Sequence, residues 1–439
     1  MADGLTAANR TGGRNVPRPG RRSPGSIPFR VLVRYRLTPW WVRVTIVYVL
    51  ARIVTFSLLV GFARVQTPNS FTLGSPTYLQ FATIWDGAWY ATIAASGYPS
   101  SLPIGSDGAI GENAWAFMPA YPFLVRTLME LSGASFDTVA VAVSVLFGWG
   151  AALLFRRLMG RFLPDSTATF ATVLFCVAPV SAMFQVAYAE SMGLFLLTLA
   201  LLLLVQRRFW TMIPVVVLLG LTRPTGLALA LTMVLYIVVR LARPWWPAHV
   251  DGSGRAWRDG SRPSHRPSVR ELVPPAVVAV VAGIVGLAWP VIAWAVTGVP
   301  KAYTDTELAW RSSYIGRQEL LPFAPWIQGF DWWFHEPAGG ILLVLVVVGF
   351  AGFLLMPAAR SIGVELRLWS LAYMVYLFAV FFPQSSTWRI LLPLFPLLGI
   401  VARPRSVWYR VCLVVLSVAL QWLWLYWCWW IDGYDWTPP

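Results

Sequence analysis

Residues 273–297 read VPPAVVAVVAGIVGLAWPVIAWAVT, an unbroken run without a single charged side chain. A helix that crosses a bilayer needs about 20 predominantly apolar residues, so this stretch is long enough to span one. Ten more apolar runs lie near 43–62, 138–155, 166–183, 191–206, 211–222, 227–241, 339–357, 368–383, 390–402 and 407–430. The shortest, 211–222 and 390–402, suit broken or re-entrant helices. Over the 439 residues, 57% are hydrophobic and 12% charged, against roughly 25% charged in a soluble domain. The predicted fold class is an all-α polytopic membrane protein with about eleven transmembrane helices.

The net charge of +15 follows from topology. Arg10, Arg14, Arg18, Arg21, Arg22, Arg30, Arg34 and Arg36 precede the first span, which places the N-terminus in the cytoplasm. Threading outward puts Arg156, Arg157, Arg161, Arg207, Arg208, the 240–271 segment, Arg360, Arg367, Arg403, Arg405 and Arg410 inside. An odd number of spans leaves the C-terminus outside. The outer loops then hold Asp86, Asp107, Glu112, Glu190, Asp305, Glu307, Glu319, Asp331, Glu336, Asp432 and Asp435. The basic residues form no single patch, so nucleic-acid binding is not expected.

Cys176, Cys412 and Cys428 lie in or beside spans with no metal-ligand spacing and no disulfide framework. No cleavable signal is expected, since the first span is too long and too far from the start. A single lysine, Lys301, against many arginines suggests a GC-rich genome. That favours a bacterial plasma membrane, or the endoplasmic reticulum membrane if the source is eukaryotic. Residues 1–28 read as a disordered basic cytoplasmic tail, 29–430 as one transmembrane domain and 431–439 as an outer tail. Within the domain, 244–271 reads as a flexible inner loop, in which His249 and His265 receive no function. The segments 63–137 and 298–337 are long outer loops rich in aromatics, prolines and acids, where function concentrates.

The first outer loop contains FATIWDGAWYATIAASGYPS, residues 81–100. From Gly87 to Ser96 the pattern suits a short helix, with Asp86 as N-cap and Gly97 followed by Pro99 as the stop. Trp85, Trp89 and Ile93 share one side, which would lie along the membrane interface. Asp86 has two compatible readings, a helix cap and a general base, because a helix N-terminus favours an ionised carboxylate. The later ENAWAFMPAYPFLVR, residues 112–126, reads either as a rigid turn or as the wall of a pocket for sugar or lipid built from Trp89, Phe117, Pro119 and Tyr121.

Trp85-Asp86-Gly87 with Tyr90, then Ile93-Ala94, Gly97-Tyr98 and Phe117-Met118-Pro119-Ala120-Tyr121-Pro122, resembles the first luminal loop of one family. That family holds the enzyme that adds the second mannose in GPI-anchor assembly, with its bacterial relatives. It belongs to the GT-C class of integral-membrane glycosyltransferases. The likeness extends to Tyr188-Ala189-Glu190-Ser191, to Thr222-Arg223-Pro224-Thr225-Gly226, and to Gln384-Ser385-Ser386 with Arg389 and residues 391–396. The resemblance implies inverting transfer of mannose from a polyprenyl phosphate on the outer face, with Asp86 at the position of the family's carboxylate. The implied partners are membrane lipid, the polyprenyl-phosphate sugar donor and a glycolipid or glycan acceptor.

The chemistry has requirements of its own. A lipid phosphate leaves without protonation, while the attacking hydroxyl must lose a proton, so one carboxylate base suffices. Glycosidases usually need two. Cations should steady the departing phosphate. Arg389 and Arg223 are candidates, since an unpaired charge near hydrocarbon costs about 3 kcal/mol or more. Their partner is an acid on a neighbouring helix, a lipid headgroup or the donor phosphate. Glu190 is either a helix-end charge or a ligand for a sugar hydroxyl. Trp85, Tyr90 and Tyr188 are further candidates on the donor side, as are Arg311 and His335 in the second outer loop, beside Arg317. Asp305 and Glu307 form a faint acid-x-acid metal signal that a solvated loop explains better, so no metal or other cofactor is expected. Arg52, mid-span, is a functional candidate by default, but pairing with an acid or snorkelling explains it as well.

No G-x-G-x-x-G follows a strand, which argues against a nucleotide-sugar donor. The rival reading is a transporter or flippase for a lipid-linked sugar, with broken helices near 179–190 and 222–226. It calls for ionisable groups deep in the spans and an internal repeat, and no repeat is visible. A membrane acyltransferase would want a positioned histidine, and His335 is the one histidine on the outer side. The sequence sets neither the acceptor nor the oligomeric state.

Overall fold

A computed structural model describes residues 38–105, 107–242, 267–318 and 321–431. The 1–28 tail, most of the 244–271 loop with His249 and His265, Glu319 and the tail beyond Ile431 lie outside the described residues. The described residues up to Arg43, which include the start of the first helix at Trp40, belong to one compact unit, and those from Val44 onward to a second.

The described chain is helical, with one isolated antiparallel bridge between Ile104 and Ile110. In order the α-helices are α1 (Trp40–Val65), α2 (Tyr78–Phe81), α3 (Asp86–Ser96), α4 (Ala120–Ser132), α5 (Phe136–Met159) and α6 (Asp165–Val177). Then follow α7 (Glu190–Val205), α8 (Phe209–Gly220), α9 (Gly226–Ala242), α10 (Val269–Thr297), α11 (Ala302–Ile315) and α12 (Ala324–Phe334). The last are α13 (Ala338–Leu355), α14 (Gly363–Val380), α15 (Thr387–Ile390), α16 (Leu398–Val401) and α17 (Val407–Trp424).

Six helical segments are long and apolar enough to cross a membrane: Trp40–Val65, Phe136–Met159, Val269–Thr297, Ala338–Leu355, Pro357–Val380 and Val407–Trp429. Shorter apolar helices cover Asp165–Val177, Glu190–Val205, Phe209–Gly220, Gly226–Ala242 and Leu392–Val401. Each apolar run in the sequence therefore has a helix, and the chain is a polytopic integral membrane protein. The end of the 244–271 segment is not loop, because α10 already begins at Val269.

Backbone chemistry sets where the helices stop. Gly298 takes the left-handed conformation (φ 72°) that closes α10, which glycine adopts without a Cβ clash. Proline marks the breaks that matter later. Pro179 follows the extended Ala178 at the end of α6, Pro224 sits in the turn between α8 and α9, and Pro383 follows α14. Each lacks an N–H and disfavours helix in the residue before it. In lipid such breaks persist only where protein groups answer the freed backbone.

Arg52 supplies one such answer. It lies buried in α1 and donates to the Cys176 carbonyl at 2.7 Å and to the Ser181 carbonyl. Its guanidinium also lies over the Tyr48 and Phe184 rings, 5.4 and 5.3 Å from their centroids. Neither an inner acid nor snorkelling accounts for it. It caps the broken end of α6. Gln421 from α17 adds a bond to Ser181 Oγ at 2.7 Å and accepts from Thr55 at 3.2 Å. Helices also approach closely where side chains are absent. A Cβ added to Gly226 would stand 2.7 Å from Gly286 Cα, so α9 and α10 touch through small residues, as membrane helices do.

Candidate active site

Four segments, distant in sequence, converge at the ends of these breaks. Trp85 turns the chain with φ 60°, a conformation that a bulky residue holds only where its surroundings fix it. Its indole N–H donates to the Trp429 carbonyl at 3.0 Å. Asp86 follows as the first helical residue of α3. The expectation that Asp86 caps this helix is corrected: Trp85 occupies the cap position, and no side-chain cap bond forms. The carboxylate is held elsewhere. Gly97 ends α3 with φ 74° and donates to the Ile93 carbonyl at 2.8 Å. The Trp85–Trp89–Ile93 side also packs inward, and Ile93 is fully buried.

Arg389, reaching in from α15, binds both nearby acids with one nitrogen. Its Nη1 lies 2.6 Å from Asp86 Oδ2 and 2.8 Å from Glu190 Oε1. Arg223, from the α8–α9 turn, places Nη1 3.3 Å from the same Glu190 oxygen. Two carboxylates and two guanidinium groups therefore balance in charge. Tyr188 supports them from below. Its hydroxyl accepts from the Asp86 backbone N–H at 3.1 Å, and its ring lies 5.3 Å under the Arg389 guanidinium. The buried Glu190 Oε2 makes no hydrogen bond among the described residues. Burial pushes the Asp86 carboxyl above its ordinary range. Arg389 pulls it back down and Glu190 adds to the rise.

Asp86, Glu190, Arg223 and Arg389 line a cavity of about 1060 Å³, the upper end of the size usual for ligand sites. Trp85, Trp89, Phe117 and Arg311 line it too. The wall continues past Arg223 to Leu227 and Leu287 on α9 and α10, both exposed on the apolar surface. The cavity thus joins a charged interior to the face a lipid chain would meet.

Other expected contacts stand behind this wall. Tyr90 is buried and meets Phe117, Tyr121 and Tyr188 edge-on, at 5.3, 5.1 and 6.4 Å. Tyr121 is also core, bonded to the Ala140 carbonyl at 3.0 Å and Ser144 Oγ at 3.1 Å. Pro119 serves as the residue before α4. His335 does not join the cluster, because it ends α12 with φ 67° and is exposed. Arg317 pairs with Asp107 at 2.9 Å instead.

One wall was missed. Glu307 lines the cavity together with Tyr303, Trp310 and Tyr314, all from α11. The solvated-loop reading of Asp305 and Glu307 fails because the segment is a helix. Between them Thr306 is buried and accepts from Asn113 at 2.7 Å. The 4-3-4 spacing of residues 303, 307, 310 and 314 was the available signal of a shared helix face. The described residues contain no group of three or more potential metal ligands.

No family model matches the chain, and no curated protein does. Among solved structures it is similar to the Archaeoglobus fulgidus oligosaccharyltransferase in its apo form, with 13% identity over 88% of this chain and a TM-score of 0.44. The match covers 56% of that protein, so the chain spans little more than half its length. It is similar as well to ArnT from Cupriavidus metallidurans, solved with undecaprenyl phosphate. There the identity is 16%, over 87% of this chain and 75% of that one, with a TM-score of 0.44.

Proposed function

We propose that this chain is a GT-C-class membrane glycosyltransferase. It moves mannose from polyprenyl-phosphate-mannose to a hydroxyl of a lipid-linked glycan, with inversion, on the extracytoplasmic face. The observation that carries this reading is the Asp86–Arg389–Glu190–Arg223 cluster inside a cavity that continues to the lipid-facing side. Such a cluster offers one carboxylate to take a proton and two cations to receive a phosphate. The fold likeness is too distant to add to it.

In the reaction the acceptor oxygen bonds to the anomeric carbon from the face opposite the phosphate. The carbon–oxygen bond to phosphate breaks, and its electron pair leaves with the phosphate. The acceptor's proton passes to the Asp86 carboxylate. Arg389 and Arg223 can turn from the carboxylates to the incoming phosphate, for which guanidinium offers paired donors. The donor then brings negative charge into a neutral cluster, which raises the proton affinity of Asp86. Asp86 thus becomes a stronger base once the donor is bound. Glu190 keeps the arginines in place. Leu227 and Leu287 mark the path for the polyprenyl chain.

The test is direct. Purified full-length protein is given polyprenyl-phosphate-mannose, other polyprenyl-phosphate sugars and a membrane lipid extract, with Asp86→Asn as the comparison. Transfer from the mannose donor by wild type alone is the expected result. Equal transfer by both proteins removes Asp86 from the reaction. Scrambling of lipid-linked sugar with no transfer from any donor favours a flippase. For the topology, Ser70→Cys in a cysteine-free background should react with an impermeant reagent from outside intact cells. Labelling only after the cells are opened would reverse it.

A further inference from the structure

The second wall of the cavity differs in chemistry from the first. Tyr303, Glu307, Trp310 and Tyr314 occupy one face of α11 and all line the space that Asp86 lines. Glu307 forms no salt bridge among the described residues, in contrast to Asp86 and Glu190. The Tyr303 hydroxyl interacts with its carboxylate, and Arg311 offsets its charge from the next turn. Arg311 itself is tied to the Val380 carbonyl at 2.6 Å. Trp310 meets Trp89 edge-on at 5.9 Å and Phe117 at 6.0 Å, and Trp89 stacks on Phe117 at 5.9 Å. The Trp310 indole N–H has no hydrogen-bond partner among the described residues.

These groups describe the ligand they would take. An ionised carboxylate only accepts hydrogen bonds, so the ligand must donate there. Tyrosine and tryptophan each present an apolar body and a polar edge. Arg311 beside Glu307 disfavours a cationic ligand. A sugar ring, with C–H groups on its faces and hydroxyls around its rim, matches all three features. A peptide segment would bring backbone groups that need a sheet edge or a row of donors, and this face has neither.

We propose that the α11 face is the acceptor subsite, and that Glu307 accepts a hydrogen bond from an acceptor-sugar hydroxyl and thereby decides which neighbouring hydroxyl reaches Asp86. This rests on the glycosyltransferase reading above. It assigns Glu307 to regiochemistry and acceptor affinity, and Asp86 to proton removal. Burial raises the Glu307 carboxyl as well, so a hydroxyl that donates to it also holds it in its ionised form.

The experiment uses full-length protein, polyprenyl-phosphate-mannose, and octyl α-mannoside or octyl β-glucoside as acceptor probes, with a Ser/Thr peptide as control. Glu307→Gln keeps the shape of the side chain. It is expected to raise the acceptor KM roughly 10- to 100-fold, as loss of a charged hydrogen bond does. The effect should fall on the acceptor KM far more than on the donor KM, and the product should show mixed linkage. Tyr303→Phe should shift the acceptor KM in the same direction, which covers a Gln variant that fails to fold. An unchanged acceptor KM and linkage in both variants would overturn the proposal while leaving the role of Asp86 intact. So would wild type that glycosylates the peptide, or that hydrolyses donor without glycosylating either glycoside. If wild type neither transfers nor hydrolyses the donor, the glycosyltransferase reading itself fails, and Asp86→Asn then matches wild type.

Discussion

Two arginines are buried at helix breaks in this protein, and they are answered in different ways. Arg52 meets carbonyls, those of Cys176 and Ser181. Arg389 meets carboxylates, those of Asp86 and Glu190. Both reach the same interruption, residues 178–189, from opposite ends. An arginine on carbonyls satisfies backbone that has nowhere else to turn, and its charge serves as a fixed cap. An arginine on carboxylates sits in a neutral cluster whose pairings can be exchanged for those of an incoming anion. Burial of a charge inside a membrane protein therefore does not by itself mark a functional group. The partner does.

The largest test of that contrast is Asp86→Asn. The shape is kept and Arg389 retains Glu190, but no base remains. Transfer should fall by about 10²–10⁴, the usual worth of a positioned general base, while the protein still folds. Initial rates at saturating donor measure it. A loss confined to the donor KM would mean that Asp86 holds Arg389 and does not remove the proton.

Arg389→Met comes next. Removing one partner of a buried charge cluster typically costs about 3–5 kcal/mol, and here Asp86 loses its partner outright. The unfolding temperature should drop. Among molecules that remain folded, transfer should fall by about 10²–10³, as when one electrostatic donor to a transition state is lost. Wild-type turnover in folded Arg389→Met would separate Arg389 from the departing phosphate.

A smaller effect is read from pH. Asp86 must be ionised to accept a proton, and burial holds its carboxyl above the ordinary value of 3.8 despite Arg389. As pH falls through that raised midpoint, the rate should fall about tenfold per unit, with one proton involved. Glu307 also lies above its ordinary value, so the profile must be repeated in Glu307→Gln. An acid limb that persists there and vanishes from the residual rate of Asp86→Asn assigns it to Asp86. A midpoint at or below 3.8 would show that the pull of Arg389 outweighs burial.

Much of the fold was legible because lipid imposes a simple rule on sequence. Each apolar run has its helix, and the breaks at Pro179, Pro224 and Pro383 were marked by residues that cannot continue one. The members of the charged cluster were also visible one by one, as acids and arginines in otherwise apolar surroundings. Their pairing was not. Asp86 and Arg389 stand 303 positions apart, and no local pattern links them. The N-cap reading of Asp86 went wrong for the same reason, since a distant guanidinium outcompetes the local backbone for its carboxylate. Glu307 was passed over because its segment mixes charged, polar and aromatic residues with no long apolar run and resembles a loop. His335 stood out as the one histidine on its side of the chain, but being a lone histidine says nothing about whether its side chain reaches the cavity, and it ends α12 exposed.

Arg52→Met gives the smallest expected change in chemistry, and it is the sharpest check on the opening contrast. Methionine fills much of the space and relieves the cost of burying a guanidinium. It also leaves the Cys176 and Ser181 carbonyls without that donor, at about 1–3 kcal/mol for a buried group left unsatisfied. Gln421 still bonds Ser181 through its hydroxyl, so the break should hold its course with less stability. The unfolding temperature should therefore fall while turnover per folded molecule and donor KM stay at wild-type values. The opposite result, full stability with lost transfer, would place Arg52 on the path of the substrate. The kind of partner would then no longer separate scaffold from site.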